Sequence, residues 1–112
     1  MTGYDKFITC RKGERIVSRR LGGKTTPHNA PFDVVDFGQS IAYEVKTMHG
    51  LSRASVVHIT PAALQRKHEF MSAYGINTAY LVAVVIYGPD HIELYIGDLK
   101  SHVRVTSMRR LN

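Results

Sequence analysis

The stretch that most constrains this chain is Ala79–Tyr87, an unbroken run of apolar residues rich in valine and isoleucine. It has the length of a buried strand and falls far short of the ~20 residues that cross a bilayer. A strand apolar on both faces belongs inside a sheet that is covered on both sides. Two helical segments are available as cover. Thr60-Pro61 reads as a helix start, with a threonine cap and proline at the first helical position. That helix should run to Tyr74 and stop at Gly75. An earlier helix over Gly13–Leu21, its start open toward the N-terminus, should end at Gly22-Gly23, because glycine takes the left-handed cap conformation cheaply. Tyr4, Phe7 and Ile8 precede it and are available to pack.

Between the helices the spacing predicts a hairpin. Lys24–Pro31 reads as a loop or short edge strand. Phe32–Phe37 and Ser40–Met48 read as two strands joined by a two-residue Gly38-Gln39 turn. His49–Ser55 is a loop, and Val56–Ile59 a short strand. Gly88-Pro89-Asp90 turns the chain into His91–Ile96, which places Ile92, Leu94 and Ile96 on one face. Val103–Val105 is a last short strand. The order of helix, hairpin, helix, strand and strand describes an α/β domain with a mixed central sheet flanked by helices.

Composition narrows the class. At 112 residues the chain makes a single domain, large enough to bury a core without disulfides or structural metals. A hydrophobic share of 44% against 21% charged argues against disorder. The single cysteine, Cys10, excludes a disulfide framework, points to a reducing cytoplasmic setting, and has no activating neighbour in sequence. Met1–Cys10 lacks a charged-then-apolar leader pattern, and no membrane association is expected. The net charge of +6 favours a polyanionic partner, most often nucleic acid. Six histidines, at 28, 49, 58, 68, 91 and 102, show no tight ligand spacing, so no zinc site is expected.

The chemistry concentrates in the hairpin. Folded about Gly38-Gln39, Val35 faces Ala42 and Asp33 faces Glu44. Alternation then projects Asp33, Glu44 and Lys46 from one face. Directly opposed residues hold their Cβ atoms only ~5 Å apart, and two carboxylates that close repel unless a positive charge lies between them. A divalent metal meets that need, and Lys46 adds a second positive charge. Hard oxygen donors beside a lysine suit magnesium, or manganese in its place, acting on a phosphate. Lys46 could orient the attacking water or offset the growing charge. Asp36 rivals Asp33, but parity puts it on the other face unless the register slips by one. A solvated surface hairpin carrying the same charges is the bland alternative.

Asp33 followed by Glu44-Val45-Lys46 at the end of a hairpin resembles the signature of the PD-(D/E)XK nuclease superfamily. A helix and a hydrophobic strand then follow in that family's order. Within the superfamily the chain looks most like small Holliday junction resolvases and VRR-type nucleases, over roughly residues 12–87. The resemblance implies a restriction-endonuclease-like domain. It also implies Asp33, Glu44 and the Val45 carbonyl as metal ligands, with Lys46 assisting the nucleophilic water. Glu14, on a helix face with Val17, Ser18 and Leu21, stands where such domains carry a third carboxylate. Gln65 stands where related nucleases place a water-positioning glutamine, beside a core stripe of Leu64, His68 and Met71. A proline one step earlier than usual, Pro31 before Phe32, departs from the pattern.

Two basic clusters, Arg15, Arg19, Arg20 and Lys24, and Arg66 with Lys67, flank the site in chain order and could hold DNA phosphates. The function implied is metal-dependent hydrolysis of DNA, branched or double-stranded, by a homodimer. Open alternatives are a nicking or restriction-type nuclease of phage or mobile-element origin, a non-catalytic nucleic-acid-binding module, and an interaction protein with an acidic surface hairpin. Tyr87, Tyr95 and Arg109-Arg110 are candidates for a dimer or DNA surface.

Overall fold

The computed structural model describes residues 3–112, with side chains from Cys10 onward. Tyr4, Phe7 and Ile8 therefore lie outside the described side chains. Helix α1 spans Gly3–Leu21 and starts well before the expected Gly13. It ends as expected at Gly22 and Gly23, whose φ values of 99° and 89° only glycine adopts cheaply. Gly23 has a second reason: a Cβ there would sit 2.9 Å from the Val35 carbonyl oxygen.

Strands β1 (Lys24–Thr25), β2 (Val34–Asp36) and β3 (Ile41–His49) follow, β2 pairing antiparallel with both β1 and β3. After β4 (Val56–His58) comes α2 (Pro61–Tyr74), with the bounds its caps predict. The Thr60 hydroxyl accepts from the Ala63 amide at 3.2 Å, and Gly75, at φ 66°, returns its own amide to the Met71 carbonyl. Then come β5 (Thr78–Gly88), β6 (His91–Asp98), β7 (His102–Arg104), a 3₁₀ turn over Val105–Ser107, and β8 (Arg109–Arg110).

Six strands form one sheet in the order β1-β2-β3-β5-β6-β8, while β4 and β7 pair as a separate ribbon. Among the described strands only β3 and β5 run parallel, and α2 lies in the crossover between them. The alternation within β5 explains its unbroken apolar run. Val82 and Val84 face Val17 of α1, with Val34, Tyr43, Val45 and Leu94. Leu81 and Ala83 face the other way, under Val57, Ile59 and Val105. On that second face Phe70 and Met71 of α2 cover Val35, Ala42 and Ala79. The chain is thus an α/β domain with a mixed sheet and a helix on each side. Among the described residues, no helix is long and apolar enough to cross a membrane.

Three local expectations need correction. The hairpin turn has four residues, 37–40, with Ser40 in the left-handed region at φ 59°. The Asp36 carboxylate closes it, accepting from the Gln39 amide at 3.1 Å and side chain at 2.9 Å. The longer turn preserves the register, because Val35 still pairs with Ala42. The last strand stops at Arg104, since Val105 turns inward as a fully buried core residue. Nor is that strand the last, because Arg109-Arg110 forms β8 on the edge of β6.

Candidate active site

The site grows from the point where β2 begins. One residue ahead of it, the Asp33 amide donates at 3.1 Å to the carbonyl of Tyr43, the register partner of Val34, so the regular ladder ends at Asp33, whose carboxylate lies beside Glu44. Asp33 then turns its carboxylate across the strand, and Oδ2 accepts from the Val45 amide at 2.8 Å. A strand residue sends its N–H and C=O out along the same edge, so the Val45 carbonyl also leaves on the side of Asp33. Asp36 points to the other face and caps the turn; the register favours Asp33 as the site carboxylate.

Glu44 is buried, at 8% exposure, and holds two ammonium groups. Lys46 Nζ lies 3.3 Å from Oε2 on the same strand face, and Lys67 Nζ lies 3.0 Å from Oε1, reaching in from α2. Lys67 also donates to the Pro31 carbonyl, and its Nζ sits 5.1 Å above the Phe32 ring. Glu14 completes the acidic group from α1, itself buried and paired with Arg11 at 3.0 Å. α1 approaches closely because Gly13 has no side chain: a Cβ there would sit 1.9 Å from Thr47 Oγ1.

The charges are unevenly satisfied. Burial, then the neighbouring charge of Glu44, pushes the Asp33 carboxyl up to about 7, against the pull of the Val45 amide. A hydrogen bond shared with Glu44 and the charge of Glu14 push the same way. Burial also raises Glu14, against the opposing pull of Arg11. Near neutral pH the centre therefore carries more carboxylate than its surroundings stabilise. Among the described residues no group of three or more His, Cys, Asp or Glu side chains is arranged to clasp a metal as it stands. The donor chemistry nevertheless suits a hard divalent cation. Asp33, Glu44 and the Val45 carbonyl supply oxygen only, and burial together with the charge of Glu44 disfavours ionisation of Asp33.

Two expected roles change. Lys67 is 6% exposed, so it is no DNA contact; it belongs to the acidic centre. Gln65 is exposed and donates to Glu69 Oε1 at 3.2 Å. At ~100° per residue, Gln65 and Lys67 stand nearly on opposite sides of α2, so Gln65 does not aim at the carboxylates. The inward stripe is Leu64, Lys67 and Met71, with His68 exposed. The spacing of Leu64 and Met71 already pointed to position 67, but a lysine there reads as surface.

Arg15, Arg19, Arg20, Lys24 and Arg66 are exposed, as a phosphate-binding role requires. Arg19 and Arg20, however, line a cleft with Ile16, Ile92, Leu94 and Asn112, on the α1 side of the sheet. Glu44 and Lys46 project from the opposite face of β3, so these two arginines do not flank that pair.

A second buried carboxylate, Glu93, absorbs several residues considered for a binding surface. It accepts from Tyr95 at 2.7 Å, lies 3.0 Å from His91 Nε2 and pairs with Arg110 at 3.2 Å. The Tyr95 hydroxyl foremost, then His91 and Arg110, hold its carboxyl below the usual range against the effect of burial. Compared with protein-family models, curated proteins and solved structures, the chain matches none of them.

Proposed function

We propose that this chain is a metal-dependent endonuclease of the PD-(D/E)XK type, hydrolysing DNA phosphodiesters with a preference for branched duplexes. One observation carries the reading: Asp33 and Glu44 meet where the hairpin ladder ends, with Lys46 next along the same face. The crossover helix and the parallel hydrophobic strand after them, α2 and β5, give the reading its frame.

Asp33, Glu44 and the Val45 carbonyl would hold magnesium or manganese, with Glu14 as the third carboxylate beside them. When bound, the ion would polarise the phosphate and make its water a stronger nucleophile. The Val45 amide orients Asp33. Lys67, buried and anchored at Pro31, keeps Glu44 aimed into the site. Lys46 is 43% exposed, enough to turn from Glu44 toward an incoming phosphate and offset the charge that grows there. Arg15, Lys24 and Arg66 would add sequence-independent, salt-sensitive contacts to the DNA backbone. Each site cuts one strand, so a two-fold dimer would make paired nicks.

A non-catalytic nucleic-acid-binding module is the second reading. The Lys67–Glu44 ion pair favours it, because it neutralises Glu44 without a metal.

The test is a cleavage assay on labelled linear duplex, flap and four-way junction DNA, in magnesium and in manganese. The wild type should cut the junction, and Lys46→Ala should cut it at least ~100-fold more slowly. Binding of these DNAs without cutting in either metal would replace the enzyme with the binding module. Neither binding nor cutting would remove both readings.

A further inference from the structure

The histidines, scattered in sequence, are not all scattered in space. His58 on β4 and His102 on β7 are register partners across the two-stranded ribbon. The hydrogen bonds on either side of them define the kind of pair they form. The Ile59 amide donates to the Ser101 carbonyl and the Val105 amide to the Ser55 carbonyl, both at 2.9 Å. Hydrogen-bonded rungs alternate with open ones in an antiparallel ladder, so His58 and His102 occupy an open rung. Open rungs bring facing side chains closest, with Cα atoms ~4.5 Å apart.

Both rings point outward, while Val57 and Val103 between the strands' exposed positions pack into the core. The two imidazoles lie edge to face with centroids 6.2 Å apart. Two imidazole nitrogens on one tetrahedral ion, each ~2.0–2.1 Å from it, bring the ring centroids to roughly 5–5.5 Å. A small rotation of each ring therefore closes the gap, and the ribbon backbone need not move.

We propose that His58 and His102 form a chelating site for a divalent transition ion such as nickel, zinc or copper. Imidazole is a borderline donor that suits those ions and discriminates against magnesium. The pair contains no carboxylate, so it differs in chemistry from the acidic centre and does not depend on any role assigned to that centre. Water fills the remaining coordination positions, which leaves the ion open to an additional ligand. Chelation supplies the affinity: once one imidazole has bound, the second meets the ion at high effective concentration.

The experiment is a calorimetric titration of nickel(II) into the full chain without an affinity tag. Magnesium is kept in excess to occupy carboxylate sites, and the pH is slightly alkaline because both imidazoles must be unprotonated. The same titration is run on His58→Gln, His102→Gln and His49→Gln. All three positions are exposed, and circular dichroism checks each fold. The wild type and His49→Gln should bind one nickel per chain with equal affinity. His58→Gln and His102→Gln should each weaken it at least about tenfold. Binding unchanged in both of these variants, or absent from the wild type, would overturn the proposal.

Discussion

Two glutamates sit on the same face of the same sheet, each 8% exposed, and the chain treats them in opposite ways. Around Glu93 it places a tyrosine hydroxyl, an imidazole and a guanidinium. The charge is satisfied locally, and its carboxyl sits below the usual range. Around Glu44 the chain places two ammoniums but also two further carboxylates, Asp33 and Glu14. The net result is an Asp33 that resists ionisation. Burial opposes ionisation in both centres, foremost at Asp33, whereas at Glu93 the Tyr95 hydroxyl outweighs it. What differs is whether the donors nearby match the charge. The Glu93 centre has no unmet requirement, whereas the Asp33–Glu44 centre has one that a cation would meet.

The comparison breaks most directly through activity. Asp33→Asn should reduce cleavage by roughly a thousandfold, on the scale of losing a group that stabilises the transition state. Glu93→Gln should leave the cleavage rate close to wild type. Equal losses in the two variants would erase the distinction between the centres.

Stability gives the next largest effect. Lys67→Met leaves Glu44 buried with only the exposed Lys46 as counter-ion, and should cost about 3 kcal/mol in urea unfolding. Adding Glu44→Gln to Lys67→Met should restore much of that loss, because the orphaned charge disappears. Arg110→Met removes one of several partners of Glu93 and should shift the urea midpoint by much less.

The pH dependence sharpens the contrast further. The folded chain keeps the Asp33 proton up to about pH 7, whereas an unfolded aspartate loses it near pH ~4. In that window the folded state binds more protons, so its stability should fall as pH rises and level off above pH 7. Asp33→Asn should flatten this slope and melt higher than wild type at alkaline pH. Magnesium should likewise raise the wild-type midpoint there and leave Asp33→Asn nearly unmoved. A wild-type slope that survives in Asp33→Asn would assign the effect to another group.

The smallest effect concerns the approach of α1. Gly13→Ala gains helix propensity but drives a methyl into Thr47, so a net loss of about 1–2 kcal/mol is expected on thermal melting. It should also lower cleavage, because displacing α1 moves Glu14.

Features governed by neighbours in the chain were legible in the sequence. The bounds of α2 follow from Thr60, Pro61 and Gly75, and the double glycine after α1 marks its end. β5 is visible as an apolar run. Hairpin register and parity set Asp33, rather than Asp36, beside Glu44 even though the turn was assigned two residues instead of four. The error was harmless because both turns are symmetric about the same point. Parity, not turn type, selects the face.

Tertiary structure decided whatever depended on how separate elements meet. The rotation of α2 about its axis is set by Phe70 and Met71 packing on the sheet, and it brings Lys67 rather than Gln65 to Glu44. The pairing of β4 with β7 sets His58 against His102, and β8 takes Arg110 to Glu93. The physical reason is one of range. Caps, turns and strand alternation act over a few residues and leave a trace in the local pattern. Partners for buried charges are chosen by the packing of distant segments, which a local pattern does not record.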